Sequence, residues 1–426
     1  MSAVVIRAMS VLTPLADDPD ELFRRVQNGH SAITLWKGAV EDSCASKIGG
    51  DLGEYPIVEA LQDIRAELPK DMGARLRRIA SRAPRGIQYS LWLTIRAWLQ
   101  VGQSEIAPHR TGVIVAGHNL NRDHVRDNHR QYDDEPLLMD PLFSIFSLDT
   151  AHASCVTDVL GITGPSHTVG AACASGAQAF RTAMMEINAG HLDRVYVLAP
   201  VYVPPAPDLE ALAQIGAIVK DSIDGDPADA SRPFERGRKG FVPAHGGACF
   251  IVERLDPADQ SGPCVLLRSA AACVDGQYEP APNKNGQIRA MTEALSQAGV
   301  DTSQIGFISA HATSTPLGDR VEIEAIRSVF AALDTPVPVT APKAALGHTL
   351  WSAAAVETVL ALKQLEARTL PALLNYQDPD PDCDWDQGRD TVRHVESPFM
   401  LKNSFGFGGY NCAMIFEMRD GQRKKR

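Results

Sequence analysis

The chain has 426 residues and a formal net charge of −11, with 44% hydrophobic and 22% charged residues. That balance suits a folded protein with a large core and argues against non-specific binding to nucleic acid, which needs a basic surface to displace counterions from phosphate. The eight cysteines, at 44, 155, 173, 249, 264, 273, 383 and 412, include no CxxC pair, which argues against a zinc site.

No stretch reaches the ~18 apolar residues of a membrane span, and the start Met1-Ser-Ala-Val-Val-Ile-Arg lacks a basic leader followed by an apolar run. A cytoplasmic protein with reduced thiols is expected. Two basic runs stand out in the acidic chain: Lys70, Arg75, Arg77, Arg78, Arg82 and Arg85, and the tail Arg423-Lys-Lys-Arg426.

Taken in chain order, short aliphatic runs alternate with Ala-rich stretches. Strands are predicted at Gly112–Val115, His167–Gly170, Arg194–Leu198, Cys249–Val252, Ile305–Ser309 and Val337–Thr340. Helices are predicted at Gly86–Leu99, Ala174–Asn188, Gln287–Gln297, Asp319–Phe330 and Ser352–Glu366, with Gly190 and Gly299 placed to stop two of them. Such alternation implies layered α/β architecture. The Asp-, Pro- and Gly-rich stretch Asp221–Arg238 reads as a surface loop between two halves. A strand–helix series before Arg254 and another after Cys264 leave open two diverged copies of one topology.

Three segments carry residue types suited to acyl chemistry. In Ser166-His-Thr-Val-Gly-Ala-Ala-Cys173-Ala-Ser-Gly, a strand and a tight turn of small residues deliver a cysteine to a helix start. There the helix dipole and free N–H groups favour the thiolate, so Cys173 is a candidate nucleophile; a buried structural cysteine is the alternative. His311, in Ser309-Ala-His-Ala-Thr313-Ser-Thr315, and His348, in Lys343-Ala-Ala-Leu-Gly-His348-Thr, both follow predicted strands, where open α/β sheets place ligands. An acyl-thioester enzyme that condenses carbanions needs one thiol, an oxyanion hole and neutral imidazoles. The Gly-rich Asn403-Ser-Phe-Gly-Phe407-Gly-Gly409 segment offers a flexible backbone donor.

As a set, these segments and Ser231-Arg-Pro-Phe234-Glu-Arg-Gly-Arg-Lys-Gly-Phe241-Val resemble the β-ketoacyl-acyl-carrier-protein synthase (ketosynthase) family of the thiolase superfamily, including its polyketide-type members. The resemblance implies an α/β thiolase fold, five-layered α-β-α-β-α, with two pseudo-symmetric halves. Residues 1–254 would carry the nucleophile and 255–426 the catalytic histidines. It further implies that Cys173 accepts an acyl group from carrier-protein phosphopantetheine, while the N–H groups of Cys173 and Phe407 hold the oxyanion and Phe407 acts as a gate. His311 and His348 would promote decarboxylation of a malonyl thioester, supported by Lys343 paired with Glu322. Thr313 and Thr315 would contact the pantetheine, and Arg75, Arg77 and Arg78 would dock an acidic acyl carrier protein. No metal or dissociable cofactor is implied, and a homodimer is expected, with a heterodimer as the alternative.

The sequence departs from that pattern at several points. Pro243-Ala244-His245-Gly246 stands where Gly-Glu-Gly is usual; Ala312, Trp351 and Ala354 replace glycines, and Tyr410 replaces a threonine. His118 and Trp351 are expected to narrow or polarise the acyl pocket and to favour short or functionalised acyl groups. Three other activities stay open: a malonyl-carrier-protein decarboxylase of a polyketide β-branching cassette, a non-catalytic chain-length-factor-like subunit, and a thiolase. The decarboxylases usually carry Ser at the nucleophile, chain-length factors generally lack the thiol and a histidine, and thiolases carry a late Cys-Gly-Gly that here reads Phe-Gly-Gly.

Overall fold

The computed structural model describes residues 4–37, 45–220, 225–255, 262–386, 388 and 391–420; the basic tail and Cys44 lie outside them. Ten strands form the frame: β1 (Val4–Leu12), β2 (Thr111–Ala116), β3 (Ser166–Val169), β4 (Arg194–Ala199), β5 (Gly247–Arg254), β6 (Cys264–Val274), β7 (Ile305–Ser309), β8 (Val339–Thr340), β9 (Phe399–Gly406) and β10 (Tyr410–Arg419). Seven helices define the layers: α1 (Lys70–Ala80), α2 (Arg85–Val101), α3 (Thr150–Leu160), α4 (Ser175–Asn188), α5 (Lys284–Ala298), α6 (Pro316–Val329) and α7 (Ala353–Ala367).

The strand order is β8-β7-β9-β10-β6-β1-β5-β4-β2-β3. Split between β6 and β1, this is one five-stranded pattern used twice: first strand, fifth, fourth, second, third. Pairings repeat as well. In each half the first strand is antiparallel to the fifth and the fifth to the fourth, whereas the fourth, second and third run parallel. The parallel strands require helical crossovers, and these repeat too: α2, α3 and α4 fill the positions that α5, α6 and α7 fill in the second half. Val4–Ile6 of β1 pairs antiparallel with Val265–Leu267 of β6 and joins the two sheets.

Packing follows from the character of each helix. In α7, Ala353-Ala-Ala-Val-Glu-Thr-Val-Leu-Ala-Leu is apolar all round apart from Glu357 and Thr358, and such a helix must be covered on every side. It packs on α4, and together they form the middle layer: α4 lies on β4 and β6, α7 on β5 and β9. Helices α2 and α3 cover the outer face of the first sheet, α5 and α6 that of the second. The three largest apolar clusters lie one between the sheets and one beneath each outer layer, which gives the five layers α-β-α-β-α.

Four strands lie outside the predicted set, β1, β6, β9 and β10. The polar residues Lys402-Asn403-Ser404 interrupt the apolar pattern of β9, yet all three are buried. The reading of Asp221–Arg238 as a surface loop between halves is corrected in part: 221–224 lie outside the described residues, and Gly225, Asp226, Asp229, Arg236 and Gly237 are exposed as expected, but the segment does not join the halves. Chain order places it inside the first half, before β5, and Ser231, Phe234, Glu235 and Arg238 are buried. Phe234 takes a positive φ of 66° while its N–H donates to Asp319 Oδ2 at 2.9 Å, and Arg238 contacts Asp319 and Asp380.

The middle layer depends on a close helix approach. A Cβ placed on Gly176 would lie 2.7 Å from the backbone nitrogen of Ala355, so any side chain there forces α4 and α7 apart. Gly176→Leu is expected to lower unfolding free energy by about 1–3 kcal/mol or more, measured by urea denaturation, with loss of the site described next because both helices present its residues.

Candidate active site

Cys173 lies in a short 3-10 turn, Ala172–Ala174, between β3 and α4. Ala172 has a positive φ of 47°, and Ser175 holds the turn: its Oγ accepts from Ala171 N at 2.9 Å and donates to Ala172 O at 2.6 Å. Strained backbone of this kind persists only where surrounding structure fixes it. Gly406, the last residue of β9, supplies that fixing from the other half. A Cβ at Gly406 would meet Ala171 O at 2.5 Å and Cys173 N at 3.2 Å. Only glycine lets this strand end pass over the turn, and the passage brings Phe407 beside the sulfur.

The second half delivers its residues at repeated positions. His311 follows β7, and its N–H and that of Ala312 donate to the two oxygens of Glu322 on α6, at 2.9 and 2.7 Å. Asn403 Nδ2 adds a third donor to Glu322 at 3.0 Å. His348 precedes α7, with its backbone held between Val242 O, which accepts from His348 N at 2.7 Å, and Ala244 N, which donates to His348 O at 2.9 Å. The divergent Pro243-Ala244 segment is therefore the backbone brace of His348.

Cys173, His311, His348, Glu322, Thr313, Thr315 and Phe407 all line one cleft of about 470 Å³. The two imidazoles stand edge to face, with ring centroids 5.7 Å apart. Lys343 Nζ donates to His311 O at 2.5 Å and lies 3.2 Å from His311 Nδ1; Leu350 N donates to His348 Nδ1 at 3.1 Å. An ammonium and a backbone N–H can only donate, so each Nδ1 accepts and each neutral ring carries its proton on Nε2. Burial, together with the charges of Lys343 and Lys402, holds both histidines well below the usual imidazole range. They are neutral hydrogen-bond donors at ordinary pH.

Two expectations are corrected here. Lys343 does not pair with Glu322: its Nζ is 2.5 Å from Glu357 Oε1 on α7, while Glu322 is occupied by the backbone of the His311 loop. Nor is the Cys173 thiol favoured as thiolate. Burial pushes it up to about 12, outweighing the lowering by Lys343 and by the backbone N–H groups of Cys173 and Phe407. Those two N–H groups nevertheless both face the sulfur, and donors beside a nucleophile can serve the oxygen of a carbonyl bound to it.

Other predicted residues lie apart from the cleft. His118 and Trp351 stack on each other, centroids 4.4 Å apart, and neither is among the cleft-lining residues. Arg78 pairs with Asp158 at 2.7 Å and Arg75 donates to Val159 O at 3.1 Å, both partners on α3; Arg77 is exposed on the same helix, α1. His245 contacts Asp51 at 3.3 Å and lies against Trp36. Glu357 and Lys402 are charged residues of the site's surroundings that sequence reasoning passed over. Their signal was a charge inside an otherwise apolar run, which marks a buried partner. Among the described residues no group of three or more His, Cys, Asp and Glu could hold a metal ion, no two of the seven described cysteines are joined in a disulfide, and no helix is long and apolar enough to cross a membrane.

Comparison with known proteins gives a consistent result. The family model described as Beta-ketoacyl synthase, N-terminal domain, matches residues 1–258, and that for the Beta-ketoacyl synthase C-terminal domain matches residues 264–377. The chain is 25% identical over 417 residues to the polyketide biosynthesis malonyl-ACP decarboxylase PksF of Bacillus subtilis (strain 168), covering 97% of this chain and 96% of that protein. It is also 25% identical over 424 residues to 3-oxoacyl-(acyl-carrier-protein) synthase 2 of Staphylococcus aureus (strain COL), covering 97% and 98%. Among solved structures, a beta-ketoacyl synthase from Burkholderia phymatum STM815 shares the fold with a TM-score of 0.85 at 23% identity, covering 98% of this chain and 100% of that one. A type II PKS acyl-carrier protein in complex with its ketosynthase gives 0.84 at 23%, covering 98% and 100%.

A thiol buried this way has a distinctive reactivity. Alkylation of Cys173 by iodoacetamide is expected to rise about tenfold per pH unit from 7 to 10 without levelling off, because the thiolate fraction grows throughout that range. Peptide mass spectrometry at each pH checks it; a plateau near pH 8 contradicts a thiol raised to about 12.

Proposed function

Because the chain belongs to the beta-ketoacyl synthase family, we propose that it is an acyltransferase that forms a Cys173-linked acyl-enzyme and condenses it with a malonyl thioester by decarboxylation. The observation that carries this is the pair of neutral imidazoles, each with Nδ1 occupied and Nε2–H left as donor, lining the same cleft as Cys173.

In the first step the Cys173 sulfur attacks the thioester carbonyl of an acyl group on phosphopantetheine. The N–H groups of Cys173 and Phe407 receive the oxyanion. The thiol's proton ends on the departing pantetheine sulfur, so the exchange needs no free thiolate and no net base. A malonyl thioester then enters, with Thr313 and Thr315, whose Oγ1 atoms are 2.9 Å apart, as contacts for the pantetheine. The Nε2–H groups of His311 and His348 donate to its thioester oxygen. Loss of carbon dioxide leaves the bonding electrons in an enolate held by those donors. The enolate carbon attacks the Cys173 thioester, the oxyanion again falls on the two N–H groups, and collapse releases the β-ketoacyl thioester. The freed thiolate takes a proton from solvent.

The substrates bring the phosphopantetheine, so the reaction calls for no metal or dissociable cofactor. An acyl carrier protein is the proposed partner, with Arg77 and its helix as docking surface, in a homodimer or a heterodimer with a related subunit; the cytoplasm is the proposed location. Similarity to the decarboxylase PksF favours a second reading, release of acetyl-carrier protein without condensation. Retention of a thiol within reach of an oxyanion hole supports condensation.

Intact-protein mass spectrometry with malonyl-carrier protein, with and without an acyl donor, separates the two. Condensation predicts an acyl adduct on Cys173 and a β-ketoacyl product; acetyl-carrier protein as sole product in both arms supports decarboxylation alone. His311→Ala and His348→Ala are each expected to lower kcat for loss of carbon dioxide by about 10² to 10³, whereas Cys173→Ala abolishes the adduct and condensation. Undiminished turnover in Cys173→Ala would refute the proposal.

A further inference from the structure

Behind His311 lies a buried group with more positive charge than one ion pair supplies. Lys402 of β9 is 0% exposed, Lys343 1% and Glu357 2%. Glu357 of α7 serves both lysines: its Oε1 is 2.5 Å from Lys343 Nζ, and its Oε2 accepts from Lys402 Nζ at 2.8 Å. Lys402 also donates to Asn403 O at 2.5 Å. Lys343 in turn donates to His311 O and faces His311 Nδ1. The chain Lys402–Glu357–Lys343–His311 thus runs from the core of one strand to a cleft-lining imidazole. One carboxylate shared between two ammonium groups leaves the trio with one positive charge, where a simple pair would leave none.

We propose that Lys402 is a positioning residue of the decarboxylation site: by sharing Glu357 it leaves Lys343 incompletely neutralised, and the surplus positive charge keeps His311 and His348 as neutral donors and favours the developing enolate. The inference rests on the functional reading above. The groups facing the two imidazoles agree with it. On β9 is Lys402, after β8 is Lys343, on α7 Glu357, on α6 Glu322, before α4 Cys173 as a neutral thiol, and at the cleft mouth Asp275. Glu322 spends its hydrogen bonds on three N–H donors and Asp275 accepts from Asn411 at 2.8 Å, so neither is a bonded partner of the two lysines, although the Glu322 charge also reaches Lys402 and opposes its lowering. Both histidines are lowered by Lys402 as well as by Lys343, after burial itself. Lys402 is itself lowered by burial, an effect that Glu357 opposes.

The sign of the effect follows from charge. Protonating either imidazole adds a positive charge at Nδ1, against Lys343 or a backbone N–H, and disrupts the donor geometry, so kcat for malonyl-carrier-protein decarboxylation falls on the acid side. In Lys402→Met the trio drops from +1 to 0, protonation becomes easier, and the acid limb is expected to move to higher pH by about one unit. Glu357→Gln raises the trio to +2 and should move the limb to lower pH. The double variant Lys402→Met/Glu357→Gln returns it to +1 and should lie near the wild type. A merely structural lysine would lower the melting temperature and leave the limb in place, and that result overturns the proposal. Should Lys402→Met not fold, the limb of the double variant compared with that of Glu357→Gln isolates the same charge, and coincidence of those two limbs overturns it equally. Titration of 13C-labelled histidine rings by NMR reads the shift without turnover: a wild type inactive at every pH refutes the functional reading, while unshifted His311 and His348 resonances in the variants refute this inference alone.

Discussion

Everything at the cleft depends on one backbone crossing, the passage of Gly406 over the turn Ala171–Cys173. Cys173, the proposed nucleophile, belongs to the first half of the chain and its cleft neighbours His311, His348 and Phe407 to the second, and this crossing is where the two are locked in register. It fixes the strained turn from above, and it sets Phe407 N–H beside the sulfur. Both proposed oxyanion donors are consequently backbone groups whose positions are determined by sheet and helix packing rather than by flexible side chains. Preorganised donors of this kind do not reorganise as charge develops, which is why they contribute so much to acyl transfer. The Gly176–Ala355 approach is the same constraint one layer deeper, since it sets how near the starts of α4 and α7 can come.

The internal repeat explains where the chemistry sits. In both halves the helix after the third strand forms the middle layer, and Cys173 and His348 each occupy the segment just before that helix. His311 follows the second strand of its half, as His118 does in the first. The two halves therefore offer equivalent loops to one central region, and a cleft there draws on both without any long connection. His118, at the position equivalent to His311, is not among the cleft-lining residues and stacks on Trp351.

Much of this was legible in the residues. Aliphatic runs located six strands and the Ala-rich stretches located five helices, because period and length separate those elements cleanly. His311 and His348 could be placed on loops at strand ends for the same reason. What stayed hidden was whatever long-range burial decides. Lys402-Asn403-Ser404 looks polar and loop-like alone, but its groups meet Glu357, Glu322 and a backbone carbonyl from elements far away in sequence, so a strand can carry them into the core. The partner of Lys343 was misread because Glu322 and Glu357 are both plausible carboxylates in the sequence; only the fold shows that Glu322 is consumed by the His311 loop. The thiol misled through scale: a helix start lowers a cysteine by a modest amount, whereas full burial away from water raises it by several units.

Placing charged side chains in a dry interior is costly, and removing one member of a buried pair typically costs about 3–5 kcal/mol because its partner is left uncompensated. A core of hydrophobic residues would be at least as stable, so the retention of Lys343, Glu357 and Lys402 behind the cleft calls for an explanation in chemistry. The same low dielectric that makes these charges expensive magnifies their effect on the imidazoles. In the proposed reaction decarboxylation moves the malonyl carboxylate's negative charge onto the thioester oxygen, and none of the reacting groups needs a base: the thiol would pass its proton to the departing sulfur and the histidines would only donate. A site of this kind gains nothing from a titrating imidazole and loses its donors' geometry when one is protonated. Fixed positive charge held out of water, and out of reach of substrate, meets both requirements at once.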